Sequence, residues 1–214
     1  MKILDKMRYM DVLERLFGSA AKVKIIKLFL FNPDAAFDVG QAAERSKVTS
    51  EIARKEINNL LEINFIKPKF YIKEVKKQKN RNIEIVRKRV NGYILDQKFP
   101  YIEDIKAFLS NINPFKHKDI VEKISRAGKI QLLIISGIFI KNPDSRADLL
   151  VVGDNLKQGQ LDNIISTIES EIGKEIRYAA FETEEFNYRL AMFDKLVRDI
   201  LDYPHEKIIN KLNI

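Results

Sequence analysis

Between Lys67 and Lys98 the chain gathers eleven Lys or Arg against three acids, an excess equal to the +8 net charge of the whole sequence. The other 182 residues balance 27 basic against 27 acidic side chains. The chemistry of such a segment is phosphate neutralisation, in which Lys and Arg displace the counterions condensed on a DNA or RNA backbone. Just upstream, the spacing of residues 50–63 gathers Glu51, Arg54, Lys55, Asn58 and Glu62 on one face of a helix. Ile52, Ala53, Ile57, Leu60 and Leu61 fall on the opposite face, where a core-packed helix needs them. Arg, Lys and Asn donate to base edges and phosphates. A solvated surface accounts for either feature alone, whereas the two in succession favour a polyanionic partner.

Other chemistry is thin. The chain has no cysteine, which excludes disulfides and thiolate metal sites. The two histidines, His117 and His205, have no partner at metal-ligand or triad spacing and read as surface or capping residues. There is neither a Walker phosphate loop nor a dinucleotide glycine fingerprint, so no cofactor is expected. Met1–Met10 alternates charge with apolar residues, unlike a signal peptide. The longest apolar run, 130–140, is interrupted at Gln131, Ser136 and Gly137 and falls short of the roughly 20 residues of a membrane span. A soluble, cytoplasmic protein with no membrane partner is expected.

Ser19 is placed to cap a helix through Leu30 that stops at Asn32-Pro33-Asp34. A short helix fits Val39–Arg45, and Ser46-Lys47-Val48 reads as a tight turn. Thr49 or Ser50 then caps a third helix reaching Ile63. Two extended segments follow, 65–75 and 83–95, around a tip of Lys76, Lys77, Gln78, Lys79, Asn80, Arg81 and Asn82 that holds no apolar residue. After Phe99-Pro100-Tyr101, helical spacing resumes at Ile102, Ile105, Phe108 and Leu109. Asn111–Pro114 is the best linker, and Phe99, Tyr101 and Phe108 read as docking or core residues.

Leu16–Pro100 resembles the winged helix-turn-helix transcription regulators of prokaryotes. The residues that carry the likeness are Leu16-Phe17-Gly18-Ser19 with Val23–Phe29, then Asn32-Pro33, Val39–Ala43 and Ile57–Glu62. The resemblance implies a third helix in the major groove, using Ser50, Arg54, Lys55 and Asn58. It also implies a wing on the DNA backbone or minor groove, using Lys76, Lys77, Lys79 and Arg81.

In the second half, a helix 116–127, strands 130–136 and 149–152, a helix 161–172, a strand 175–181 and mostly helix from Glu184 through Pro204 argue for an α/β or α+β domain. Residues 128–189 resemble the minimal nucleotidyltransferase fold through Gly137 and Ser145-Arg146-Ala147-Asp148-Leu149-Leu150-Val151-Val152-Gly153. That family keeps a Gly-Ser pair, two acids in the Ser-Asp-x-Asp segment and a third acid on a later strand. Here Ile138 follows Gly137, Arg146 replaces the first acid, and Arg177 lies where the third is sought. Metal-assisted phosphoryl transfer needs converging carboxylates, and Asp148 alone does not supply them. The resemblance then implies a cleft of Gly137, Arg146, Asp148 and Arg177 that takes a nucleotide or other anion, unless Asp148 simply pairs with one of the arginines.

The chain is therefore expected to be α+β: an N-terminal winged helix-turn-helix (1–98), a connecting helix and linker (99–114) and a small nucleotidyltransferase-like α/β domain (115–214). The expected function is a DNA-binding transcription regulator, not an enzyme, that acts on double-stranded DNA as a homodimer. The helices Asn187–Leu201 and Phe99–Leu109 are candidate dimer surfaces. The alternatives are an active nucleotidyltransferase modifying RNA or protein, and a pure protein-interaction module.

Overall fold

The computed structural model describes residues 9–79, 82–111, 117–142 and 144–214, with the side chains of 9–11, 75–79, 82–84 and 111 left aside. The chain is mixed α+β with small sheets. It divides into two compact units, Met1–Pro114 with Glu169–Lys174, and Phe115–Ile168 with Glu175–Ile214. Among the described residues no helix is long and apolar enough to cross a membrane.

The first unit is built around α2 (Ala20–Phe31), in which Val23 and every residue from Ile25 through Leu30 are buried. A helix surrounded by other elements has little amphipathic contrast, because all of its faces are interior. Ser19 caps it by accepting from the Lys22 N–H at 3.0 Å. Around it pack α1 (Tyr9–Phe17), α3 (Val39–Ser46), α4 (Ser50–Glu62) and α5 (Ile102–Asn111). Phe99, Ile102, Ile105 and Leu109 all join this core. Phe99 meets Phe65 edge-on at 5.3 Å, while Tyr101 and Phe108 are exposed.

One buried member of α2 is polar. Lys27 is 1 % exposed, and its Nζ donates to the Glu171 carbonyl at 2.7 Å, within the same unit. Burial lowers its pKa to about 8, against the opposing pull of Glu171.

A two-stranded antiparallel arm, β1 (Ile66–Lys79) with β2 (Asn82–Leu95), completes the unit. Each strand has 14 residues, about 45 Å at the usual rise per residue. The strands run past the expected ends at Val75 and Ile83. Lys76, Lys77 and Lys79 pair in register with Ile85, Glu84 and Asn82, so they belong to the ladder rather than to a loop. The absence of apolar side chains was a poor stop signal, because the ladder is held by backbone hydrogen bonds.

The second unit carries a four-stranded sheet in the order β5-β4-β3-β6. Its strands are β3 (Lys129–Ile135), β4 (Leu149–Asp154), β5 (Tyr178–Glu182) and β6 (Glu206–Asn210), and only β4 and β5 run parallel. Leu132, Ile134, Leu150 and Val152 face Phe186, Val197 and Ile200 of α8 (Thr183–Ala191) and α9 (Lys195–Asp202). Leu133, Ile135, Leu149 and Val151, on the other face, are equally buried. A strand buried on both faces reads as a continuous apolar run, which is why β3 and β4 were legible. The edge strand β6 was not, being short and opening on two charged residues, Glu206 and Lys207. The single helix expected over Asn187–Leu201 is two, because Phe193 takes a left-handed φ of 55° and Asp194 caps α9 by accepting from Leu196 and Val197.

Between pH 8 and 10.5 the unfolded chain holds the Lys27 proton that the folded chain has released, so this residue makes stability rise with pH through that window. The gain should be about 2–4 kcal/mol. Denaturant titrations at pH 8 and 10.5 should show it in the wild-type chain and show it missing in Lys27→Met.

Candidate nucleic-acid interface

The turn between α3 and α4 is set by Lys47, whose left-handed conformation (φ 50°) lets its N–H bond to the carbonyls of Ala43 and Glu44. Thr49, not Ser50, caps α4 by accepting from the Ile52 N–H. That leaves Ser50, Arg54, Lys55 and Asn58 exposed along one side of α4. Among the described residues, Arg54, Lys55 and Asn58 form no internal side-chain hydrogen bond or ion pair, and all three are available to a ligand.

The inner face differs from the expected one at two positions. Ile52 is 42 % exposed, and Glu56, which the sequence reading passed over, is buried in its place. Glu56 accepts from Ser19 Oγ and Asn59 Nδ2 at 3.1 Å each and lies 3.7 Å from Lys22 Nζ. Its carboxylate thus sits at the positive end of α2 and fixes α4 to that end. The missed signal was Glu56 lying between Ala53 and Ile57 in the apolar row, with Ser19 and Lys22 free to reach it.

The arm is fixed at its root. Asp38 forms a capping box with Gln41 at the start of α3 and also receives the hydroxyl of Tyr71 (3.1 Å) and Nζ of Lys73 (2.6 Å), both from β1. The Tyr71 hydroxyl also meets Gln41 Oε1. Burial alone would raise the Asp38 carboxyl, but hydrogen bonds from Lys73, the Gln41 N–H and Tyr71 hold it below the usual carboxylate range. Burial, then the Asp38 hydrogen bond, push the Tyr71 phenol up to about 12. Phe37 exchanges two 2.9 Å backbone hydrogen bonds with Tyr93 of β2. The approach requires Gly92, where a Cβ would lie 2.6 Å from the Tyr71 ring and 3.0 Å from the Phe37 carbonyl oxygen.

Arg81 of the expected wing lies outside the described residues, and so do the side chains of Lys76, Lys77 and Lys79. Nearer the root the pleat sorts the side chains. Lys67, Lys69, Tyr71, Lys73 and Lys88 share one face, while Phe70, Ile72, Glu74, Ile85, Arg87 and Arg89 share the other. The Arg89 guanidinium lies 4.5 Å from the centre of the Phe70 ring, and Arg87 pairs with Glu74 at 3.0 Å. Sequence reasoning counted these charges but did not place them, although the period of two was present in the sequence.

In the second unit, Gly137, Asp148 and Arg177 come together and Arg146 goes elsewhere. Asp148 is 1 % exposed. Its two oxygens accept from the Ile138 N–H (3.0 Å), the Arg177 N–H (2.9 Å) and Arg177 Nε and Nη2 (3.2 Å each). Four donors fill the lone-pair positions of one carboxylate. Gly137 (φ 54°) has no room for a Cβ against that carboxylate. Arg146 instead pairs with Asp199 of α9 at 2.9 Å. The two arginines assigned to one cleft are thus engaged by different acids. Among the described residues, no three of His, Cys, Asp and Glu gather as a metal would need. His117 meets Glu206 at the surface, and His205 Nδ1 meets the Tyr203 carbonyl two residues back.

Comparison with family models, with characterised proteins and with solved structures yields no match for this chain.

Asp38→Ala should cost the first unit about 2 kcal/mol, from the lost cap and the lost carboxylate acceptor of Tyr71 and Lys73. Because Tyr71→Phe removes part of the same network, the double variant should lose less than the sum of the two, as read by a double-mutant cycle in urea. Asp148→Ala should cost the second unit about 2–4 kcal/mol, because buried donors lose their acceptor.

Proposed function

We propose that this chain is a double-stranded DNA-binding transcription regulator in which α4 enters the major groove and the β1–β2 arm follows the backbone. One observation carries the reading. The unengaged donors Arg54, Lys55 and Asn58 lie on the outer side of a helix in the same unit as the arm that holds the chain's entire charge excess. The order α2, α3, turn, α4, hairpin supports a winged helix-turn-helix arrangement. Phosphate contacts along the arm supply affinity and register, and the sparser set on α4 reads base edges. A cytoplasmic location accompanies this role.

The second unit, read as nucleotidyltransferase-like, serves sensing or assembly rather than catalysis. The observation behind this is that Asp148, the sole acid matching that family's segment, is spent on holding Ile138 and Arg177. A nucleotide or another anion remains the ligand class that Arg146 or Arg177 would take if released from its acid. For assembly, Tyr188, Met192, Phe193 and Leu196 form an exposed apolar cluster at the joint between α8 and α9, with Phe193 73 % exposed. A homodimer through this cluster would present two α4 helices to a palindromic site.

Selection from a random duplex library should return one preferred site, palindromic if the dimer forms. Arg54→Ala or Asn58→Ala should each relax base preference by about 1–3 kcal/mol at defined positions. Replacing Lys76, Lys77 and Lys79 with Gln should weaken all duplexes alike and lower the salt slope by about three. Uniform weakening by the α4 variants as well would remove α4 as the reader. Phe193→Asp should convert a sedimenting dimer to monomer, and an unchanged mass would reject the cluster as the dimer contact.

A further inference from the structure

We infer that the outer face of the arm, Phe70, Ile72 and Ile85 with Arg89, is an apolar wedge that presses into the bound duplex and bends it. The inference rests on the DNA-binding reading and goes beyond it, because a phosphate-tracking arm needs no apolar face. Phe70, Ile72 and Ile85 are 58, 68 and 64 % exposed, on a ribbon that carries ten Lys or Arg against two acids. The strand register places all three on one side. On the opposite side Tyr71 and Lys73 turn back to Asp38, so the root contact fixes which face is outward.

Charge selects the occupant. The arm lies within a segment of net +8, and on this face the described charges are Arg89 and the Arg87–Glu74 pair, a positive excess that a polyanion complements and a second copy of the face repels. Three side chains also cover too little area for a stable protein interface of roughly 1,200 Å². A duplex fits the shape as well. A two-stranded ribbon of about 45 Å exceeds one helical turn of DNA, about 34 Å. The Arg89 guanidinium stacked on Phe70 keeps that ring in place beside a planar cation. Apolar side chains presented to the minor groove open base steps and kink the duplex, and flanking arginines favour the narrowed groove.

The test uses the full chain and a mixed-sequence duplex of about 40 base pairs, end-labelled for energy transfer and carrying 2-aminopurine as a stacking reporter. The wild-type chain should shorten the end-to-end distance and raise the 2-aminopurine signal. Phe70→Ala combined with Ile72→Ser and Ile85→Ser should abolish both signals and weaken binding about tenfold while leaving the salt slope in place. Lys69→Gln with Lys88→Gln, on the face opposite the wedge, should keep the bend, and a bend lost in this variant would overturn the wedge. Unchanged thermal unfolding of the apolar variant would show that it is folded. Tight, salt-sensitive binding to a straight duplex would overturn the wedge and leave the DNA reading standing. Absence of duplex binding at 50 mM salt would overturn both. A wild-type dimer that the apolar variant dissociates would make this face a self-contact and overturn the inference.

Discussion

One carboxylate, that of Asp38, holds the first unit's helices and its arm in a common frame. It starts α3 by accepting from the Gln41 N–H, and it receives Tyr71 and Lys73 from β1. A two-stranded ribbon is barely stable alone in water. Without a fixed root, the arm's charges would sweep a volume rather than a surface, and its register against a ligand would be lost. The Phe37–Tyr93 bridge, possible only over Gly92, is the second fastening. Together these contacts turn a run of basic residues into a positioned basic surface, and the α4 donors are held beside the same core through Glu56.

The second unit uses a buried acid in a comparable way. Asp148 joins the Gly137 turn to Arg177, just ahead of β5, through four hydrogen bonds. A carboxylate with its lone pairs filled by the protein's own donors has little capacity left for a metal or a substrate proton. That is a structural use of a buried acid. It favours a reading in which the output of the chain is binding.

Much of this was legible because it depends on local periodicity. The cap at Ser19, a cap at Thr49 or Ser50, the turn at Ser46-Lys47-Val48, the apolar strands β3 and β4 and the exposed row Arg54, Lys55 and Asn58 all follow from spacing. What was not legible depends on partners distant in sequence. Glu56 looks like a surface residue until Ser19 and Lys22 are brought to it, 37 and 34 positions away. Lys27 looks like the polar side of α2 until Glu171 supplies a carbonyl. The ends of the arm were missed because a hydrogen-bonded ladder continues without apolar side chains. The break at Phe193 was missed because neither glycine nor proline marks it.

The central claim is that the basic arm binds the DNA backbone through charge and so holds α4 to the duplex. It is tested most directly by measuring the affinity of the full chain for a mixed-sequence duplex as salt rises from 50 to 200 mM. About six phosphate contacts predict a log–log slope near −5 and a loss of about a thousandfold over that range. A flat response, or no binding at 50 mM, would contradict the account.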